Sequence, residues 1–471
     1  MLENFRETIV PKPKAFAQIV TANITFLAYG FECGWISPTT KILQSENSPT
    51  GYSLSDNSIA WIASSMSMSA IFAVSLYSYI ADTYGRKTGI ILVAVPEAIS
   101  WIIKLSYAST TTLIIARLFS GLAAGGCFNI VPMYVKEISQ DNIRGILGTL
   151  PQLIQTVGIL VMYLIGANFD YYTVIISVLG IPIITALLFF KAPESPAFLI
   201  KQGKIEESTK TVAFLRGLKK DDKIVQNIVE TMKSENERFK SKPNLTIATI
   251  LKEKPWRRAF LLIIGTFLFH GLNGTYTILT YASAILVSTG VKFEIDPDTQ
   301  TLSFPIVSII GSVLLAGIVE RFGRKTLLCL SFLISACSMI LIAVLMILQE
   351  RGTDIPAWLP VTAMMVAVAM YGGGVSSLPY IIMTEMLSFQ IRAKIMGVII
   401  TFAWFLSFTL VTTYPPLVNG FGPYAPFIFY GIINLLGAIY TIIFLLETKG
   451  KSEDEINEML KEGNIKNNSS I

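Results

Sequence analysis

Two short charged loops, each set between long apolar runs, constrain this chain more than any other stretch. Asp82-Thr83-Tyr84-Gly85-Arg86-Lys87 and Glu320-Arg321-Phe322-Gly323-Arg324-Lys325 share an acid-x-x-Gly-basic-basic pattern. They stand roughly 240 residues apart, as the repeats of two multi-helix halves would. A charge at the centre of a membrane helix costs about 2.5–3.5 kcal/mol, so both loops lie outside the hydrocarbon, on one face of a bilayer. Their repetition says that the chain is built twice.

Composition supports a bilayer as the solvent. Of 471 residues, 52% are apolar and only 15% charged, where soluble domains carry about 25%. The chain therefore reads as a polytopic membrane protein. Its net charge of +5 is no sign of a nucleic-acid partner, because the basic residues cluster in loops beside apolar spans. Lys41, Lys292 and Arg351 stand nearly alone on one side, while the two hexapeptides, the stretch from Lys191 to Arg258 and the polar tail load the other. By the positive-inside rule that second side is expected to be cytoplasmic. Cys33, Cys127, Cys329 and Cys337 all fall in apolar runs, so no extracellular disulfide is expected. No small-residue cleavage site follows the first apolar run, which reads as a retained span.

Apolar runs of the ~20 residues that a bilayer requires fall near residues 16–36, 58–80, 88–108, 112–135, 146–167 and 171–190. The polar stretch 191–257 then carries apolar residues at helical spacing (Ile205, Val212, Leu215; Ile224, Ile228, Met232) and predicts short amphipathic helices. Six more runs follow near 258–288, 301–319, 326–348, 357–384, 394–415 and 424–446. The expected fold is all-α with twelve transmembrane helices. Its parts are an N-terminal six-helix bundle (1–190), a cytoplasmic linker (191–257), a C-terminal six-helix bundle (258–446) and a cytoplasmic tail (447–471), with both termini cytoplasmic. Asn-x-Ser/Thr sequons at Asn23, Asn244, Asn273, Asn467 and Asn468 are intramembrane or cytoplasmic on this topology, so no N-glycan is expected.

The halves echo beyond the hexapeptides. Glu137 precedes Arg144 by seven residues, as Glu385 precedes Arg392, and Pro193-Glu194-Ser195 is answered by Glu447-Thr448-Lys449. With Arg117-Leu-Phe-Ser-Gly-Leu-Ala-Ala-Gly, Val131-Pro-Met-Tyr-Val-Lys-Glu137, Arg144-Gly145 with Gln152, Pro193-Glu-Ser-Pro-Ala-Phe-Leu199 and Glu447-Thr-Lys-Gly450, the chain resembles, from end to end, the sugar porter family of the major facilitator superfamily. Within it the likeness is to insect facilitative trehalose and hexose transporters, through Gly34-Trp-Ile-Ser-Pro38 and Leu54-Ser-Asp with Trp61.

That resemblance implies two pseudo-symmetric bundles around a sugar site, and a cytoplasmic gate of charges. Asp82, Arg86, Lys87, Glu137, Arg144 and Glu194 in one half, and Glu320, Arg321, Arg324, Glu385, Arg392 and Glu447 in the other, are the expected gate residues. The pattern departs at Thr83, where the family has a basic residue, at Ser78, which stands for a glycine, and at Ala197, which stands for an arginine.

Glu32, Lys104 and Arg117 lie inside spans. Intramembrane charge is functional by default and needs a partner. Glu32 and Arg117 match the aspartate and arginine of proton-coupled members, which makes them a candidate coupling pair; a static buried pair is the alternative. Lys104 is expected to snorkel to the outer interface.

For the substrate, Gln152 matches the family's sugar-binding glutamine of span five and Trp404 its span-eleven tryptophan, while Tyr380 stands for a second tryptophan. Span seven departs: His270 and Gly271 replace two glutamines and Tyr276 an asparagine, with Tyr281 on a matched tyrosine. A three-residue shift would keep Asn273 as that asparagine. Ser308 stands for another asparagine and Gly372 for a glutamate. His270, the only histidine, reads first as a satisfied pore or packing residue, with substrate contact as the alternative. Gly372-Gly373-Gly374 follows no strand and is no phosphate loop; it is expected to let span ten bend and approach its neighbours. Tyr414-Pro415-Pro416 is expected to end or break span eleven.

No nucleotide loop, metal cluster or nucleophile–base pair stands out, so an enzyme is not expected, nor is any cofactor. The expectation is a monomeric facilitative carrier of trehalose or a hexose in the plasma membrane, with the sugar and the lipid bilayer as its partners. The alternatives are a proton-coupled symporter, a carrier of another polyol or small polar solute, and a non-transporting sugar sensor.

Overall fold

The computed structural model describes residues 13–140, 144–240, 246–289 and 296–462. Twelve helices among them are long and apolar enough to cross a membrane. Spans one to six are Pro13–Leu43, Asp56–Thr83, Arg86–Ser106, Thr110–Ile138, Arg144–Asn168 and Tyr171–Lys191. Their starts follow local chemistry. Ser55 and Asp170 cap spans two and six through their side-chain oxygens, and Ser109 with Thr112 forms a reciprocal capping box on span four.

Outward side chains such as Phe72, Leu187 and Leu314 are 72%, 61% and 61% exposed, an apolar surface suited to lipid rather than water. Where apolar side chains cannot drive helices together, small residues let backbones meet. A Cβ on Gly30 of span one would lie 2.2 Å from the Gln155 carbonyl oxygen of span five, and one on Gly121 of span four 2.0 Å from Met66 O of span two.

Between the two sets of spans run four short helices, Pro196–Lys201, Ile205–Arg216, Lys223–Lys240 and Ile247–Lys252. Ile205–Arg216 buries Val212 and Leu215 as the periodicity predicts, whereas the buried face of Lys223–Lys240 differs from the periodic reading by one position. Val225 and Val229 are buried with Val212 and Ile200, Ile228 and Met232 are half-buried, and Ile224 and Ile205 are exposed. The third of these helices has apolar residues at 224, 225, 228, 229 and 232, so periodicity defines the stripe but not its centre.

The second set is less regular. Span seven is broken into Lys254–Gly271, Thr275–Thr280 and Ala282–Ser288; span eight is Pro297–Thr301 with Ser303–Phe322, and span nine Arg324–Glu350. Span ten runs Trp358–Met370, then a π-helical turn over Tyr371–Val375, then Leu378–Met386. Spans eleven and twelve are Phe389–Phe421 and Ala425–Phe444, and a last helix, Glu453–Glu462, follows.

The triple glycine does bring span ten close to its neighbours. A Cβ on Gly372 would sit 2.3 Å from Ser308 O, and one on Gly374 2.0 Å from Ser331 Oγ. Pro415 and Pro416, by contrast, neither end nor break span eleven, which continues to Phe421. Proline removes the N–H that would bond the carbonyl four residues earlier. For Pro415 that carbonyl is Val411 O, which accepts the Tyr281 hydroxyl of span seven at 3.4 Å. A neighbouring helix satisfies the freed group, so the run need not bend.

Candidate functional site

The two hexapeptide loops fold alike. In the first, Arg86 Nε and Nη2 donate to Glu137 Oε1 at 3.2 and 2.9 Å. In the second, Arg324 Nε and Nη2 donate to Glu385 Oε1 at 3.2 and 2.9 Å. The other Glu137 oxygen accepts from the Ser195 hydroxyl, and the other Glu385 oxygen from Thr448 Oγ1 at 2.5 Å.

The Pro-Glu-Ser and Glu-Thr-Lys echoes supply carboxylates that cap distant helices. Glu194 Oε1 accepts the backbone N–H groups of Arg86 and Lys87 at 3.0 and 3.1 Å, at the start of span three. Glu447 does the same for Arg324 and Lys325 at 3.0 Å each, at the start of span nine. An anion there satisfies orphan donors and meets the positive end of the helix dipole. Burial pushes the Glu194 carboxyl above its ordinary value, against the N–H groups of Ser195, Lys87 and Arg86.

This geometry explains the glycine of the hexapeptide. Gly85 and Gly323 have φ of 97° and 87°, and a Cβ would lie 2.2 and 2.5 Å from the Glu194 and Glu447 carboxylates. Gly85→Ala and Gly323→Ala are each expected to lower the thermal midpoint of the purified protein, because with ψ of 169° and 160° both sit in a backbone region that is essentially glycine's alone and costs another residue about 1–3 kcal/mol, to which loss of the cap adds. An unchanged midpoint would mean that these loops are not held as described.

Of the other expected gate residues, Asp82 pairs with Lys201 at 2.9 Å and lies 3.9 Å from Arg86. Lys87 Nζ donates to Phe190 O at 2.9 Å. The Arg321 carbonyl accepts from Lys449, and Arg392 donates to Leu387 O at 3.1 and 2.9 Å. The side chains of Arg144 and Glu320 lie outside those described.

Inside span one, Glu32 is fully buried and bound by two cations. Lys104 Nζ contacts its oxygens at 2.7 and 2.6 Å, Arg117 Nη1 reaches Oε2 at 2.9 Å, and Ser100 donates to Oε1 at 3.0 Å. Lys104 does not snorkel. It is 0% exposed, with its ammonium 3.7 Å from the Trp101 ring centre and 4.5 Å from that of Trp35. An anion in reach outweighs a route to the interface, because an ammonium is bound far more strongly by a carboxylate when both are dry. Sequence reading also missed Glu97, buried on span three at 3% exposure. The signal was present, since an acid in the middle of the 88–108 run has the same standing as Glu32.

Between the halves lies an aromatic junction. Trp404 of span eleven meets Tyr29 of span one and Phe128 of span four edge-on, with ring centres 6.1 and 5.7 Å apart. Tyr29 and Tyr276 of span seven both lie beside Cys33, whose sulfur accepts from Gln155 Nε2 of span five at 4.0 Å. Gln152 and Tyr276 are half-buried. On the span-ten side, His270 stacks on Tyr371 at 6.2 Å, meets Tyr380 edge-on at 5.8 Å, and bonds Val375 O through Nδ1 at 2.8 Å.

Two expected contact residues are engaged elsewhere. Asn273 bonds Asn434 of span twelve, while its Oδ1 accepts Thr275 N at 3.1 Å. It thereby pins the break of span seven, where Gly274 has φ of 92°. Ser308 is buried against Gly372, where a Cβ would lie 2.3 Å from its carbonyl oxygen.

Polar contacts also cross between the halves near the Lys41 end. Lys41 pairs with Asp298 and Asp296 at 3.4 and 3.5 Å, Ser283 N donates to Ser37 Oγ at 3.2 Å, and Tyr163 bonds Leu279 O.

Known proteins resemble this chain over nearly its whole length. The chain is similar to the facilitated trehalose transporter Tret1 of Aedes aegypti, at 25% identity over its whole length, and spans 58% of that relative. It is 26% identical to Tret1 of Polypedilum vanderplanki over 100% of this chain and 93% of the relative. To the sugar transporter ERD6-like 6 of Arabidopsis thaliana it is 28% identical over 92% of this chain and 88% of that one. Among solved structures, the inward-open xylose transporter XylE of E. coli superposes with a TM-score of 0.77 at 18% identity, over 94% of this chain and 99% of that one. A family model described as "Sugar (and other) transporter" matches residues 18–460. With that match covering both sets of six spans and both repeated loops, the chain belongs to the sugar porter family of the major facilitator superfamily, a family of transporters and not of enzymes.

Proposed function

We propose that the protein is a facilitative carrier of trehalose or a hexose in the plasma membrane, working by alternating access with its termini and linker in the cytoplasm. The observation that carries this reading is the cross-half junction at Trp404, Tyr29, Phe128, Tyr276 and Cys33. It joins spans one, four, seven and eleven where the halves meet. Aromatic faces and amide or hydroxyl groups are what a neutral sugar, with C–H faces and hydroxyl rings, requires. Gln152, His270, Tyr276, Tyr380 and Trp404 are the proposed contacts, and Asn273 and Ser308 shape the site from behind.

In this cycle the Arg86–Glu137 and Arg324–Glu385 clusters, with their capping carboxylates, act as the cytoplasmic gate. They hold the ends of each half's helices, and the halves separate and rejoin around the sugar. The trehalose transport named for the insect relatives supports the substrate class. A second reading, a carrier of another polyol, is favoured by one feature: Ser308 and Gly372 pack together instead of presenting polar side chains.

Uptake of labelled trehalose and glucose into vesicles holding the purified protein tests the proposal, with and without an imposed proton gradient. Saturable uptake of either sugar, indifferent to the gradient, is the expected result. Uptake of neither by folded protein, with uptake of another polyol, would favour the second reading, and no uptake of any solute would favour a sensor.

A further inference from the structure

Glu32 has one partner too many for a group that must gain and lose a proton in each transport cycle. Lys104 touches both carboxylate oxygens, and Arg117 holds Oε2 and also the Glu32 backbone carbonyl at 2.7 Å. All three side chains are at most 2% exposed. Arg117 is tied as well to the Ile62 and Ala63 carbonyls of span two at 3.2 and 3.4 Å, so it is fixed. Lys104 is the added member. Its ammonium lies between two indole faces, which replace part of the hydration it has lost. With a single cation beside it, a carboxyl that took up a proton would leave one buried charge. Here it would leave two positive charges facing each other in a dry site, which is far costlier.

We propose that Lys104 determines the energetics of transport: it is a built-in cation in the place a proton would otherwise take at Glu32, so the carrier reorients with no ion exchanged. This inference rests on the sugar-carrier reading above. The other titratable groups around the cluster are Tyr29 and Cys33 on span one, Glu97 on span three, Tyr163 on span five, Tyr171 on span six, and Tyr276 and Tyr281 on span seven. Tyr171 donates to the Lys104 backbone carbonyl at 3.1 Å. Glu97 is the rival acid. It lies two helical turns before Lys104, its Oε1 has no hydrogen-bond partner, and it borders a small cavity with Thr25, Pro182 and Thr185.

The test uses the full chain in vesicles, with labelled trehalose and glucose and an inward proton gradient. Wild type and the conservative variant Lys104→Arg are expected to equilibrate sugar without accumulating it. Lys104→Met is expected to accumulate sugar and acidify the lumen, with a ceiling of about tenfold per pH unit for one proton per sugar. Glu32→Gln/Lys104→Met is expected to lose that accumulation. Gradient-driven accumulation by the wild type would overturn the proposal, as would a Lys104→Met variant as indifferent to the gradient as the wild type. Coupling that survives in Glu32→Gln/Lys104→Met and disappears in Glu97→Gln/Lys104→Met would overturn the assignment to Glu32.

A second readout needs no sugar: proton uptake by the purified protein in unbuffered solution between neutral and mildly acid pH. Lys104→Met is expected to bind one proton more than Glu32→Gln/Lys104→Met. Equal uptake would overturn the proposal even if none of these sugars is carried. Lys104→Gln replaces Lys104→Met should the latter fail to fold, and the wild-type uptake decides independently of both.

Discussion

Glu32→Ala is expected to be among the most damaging single substitutions in this chain, lowering stability by about 3–5 kcal/mol. The carboxylate is the only anion within ion-pair distance of Lys104 and Arg117 among the described residues. Its removal leaves two buried cations close together with no described counter-charge within ion-pair distance. Arg117 keeps the carbonyls of Glu32, Ile62 and Ala63, but Lys104 keeps only the indole faces. The loss would be read as a large fall in the thermal midpoint and in the yield of monodisperse protein. Lys104→Met is expected to cost much less, because Glu32 then retains Arg117 and Ser100. Equal losses for the two variants would show that the cluster is not organised around Glu32.

Gly274→Ala is expected to abolish transport and to destabilise span seven. Two effects add. At φ of 92° an alanine is disfavoured by about 1–2 kcal/mol. Its Cβ would also lie 2.3 and 2.4 Å from the Cγ and Cδ2 of Tyr430, a ring that is 1% exposed and has nowhere to go. The break of span seven would shift, and with it Tyr276 and Tyr281. Uptake, with a thermal midpoint on the same sample, measures both effects. Tyr430→Ala added to Gly274→Ala would relieve the clash but not the backbone cost, so partial recovery is expected. Full wild-type uptake by Gly274→Ala would show that the geometry of this break does not limit the carrier.

Much of the fold was legible in the chain because its signals are local. Each span is a run of apolar residues whose length the bilayer dictates. The polar stretch after Lys191 could only lie outside the hydrocarbon. The two hexapeptides could be matched because the same short pattern recurs between the same kinds of run. Membership of the sugar porter family was legible for a related reason: its motifs are short, fixed in order and present in both halves.

The candidate site was legible in part. Its residue types could be aligned from sequence, but two errors share one cause, since each concerned which partner a side chain finds across the bundle. Lys104 was expected at an interface and lies in an ion cluster, because Glu32 is 72 positions away in the chain and 2.6 Å away in space. Pro415 was expected to break a helix that continues, because the carbonyl it frees is met by Tyr281 from another span. Glu97 is different: as an acid within an apolar run it was legible in the chain, and only the cluster it borders needed the fold.

By itself, then, the sequence determined how many times the chain crosses, that it is built twice, and which loops share a face, since hydropathy and repetition are properties of neighbours along the chain. Only the tertiary structure decided which buried charges meet, how Glu194 and Glu447 cap helices more than 100 residues away, and where Asn273 and Gly274 break span seven. Those outcomes depend on contacts within a few ångströms between helices, and a low-dielectric interior makes each such contact strong enough to override the local preference of either partner.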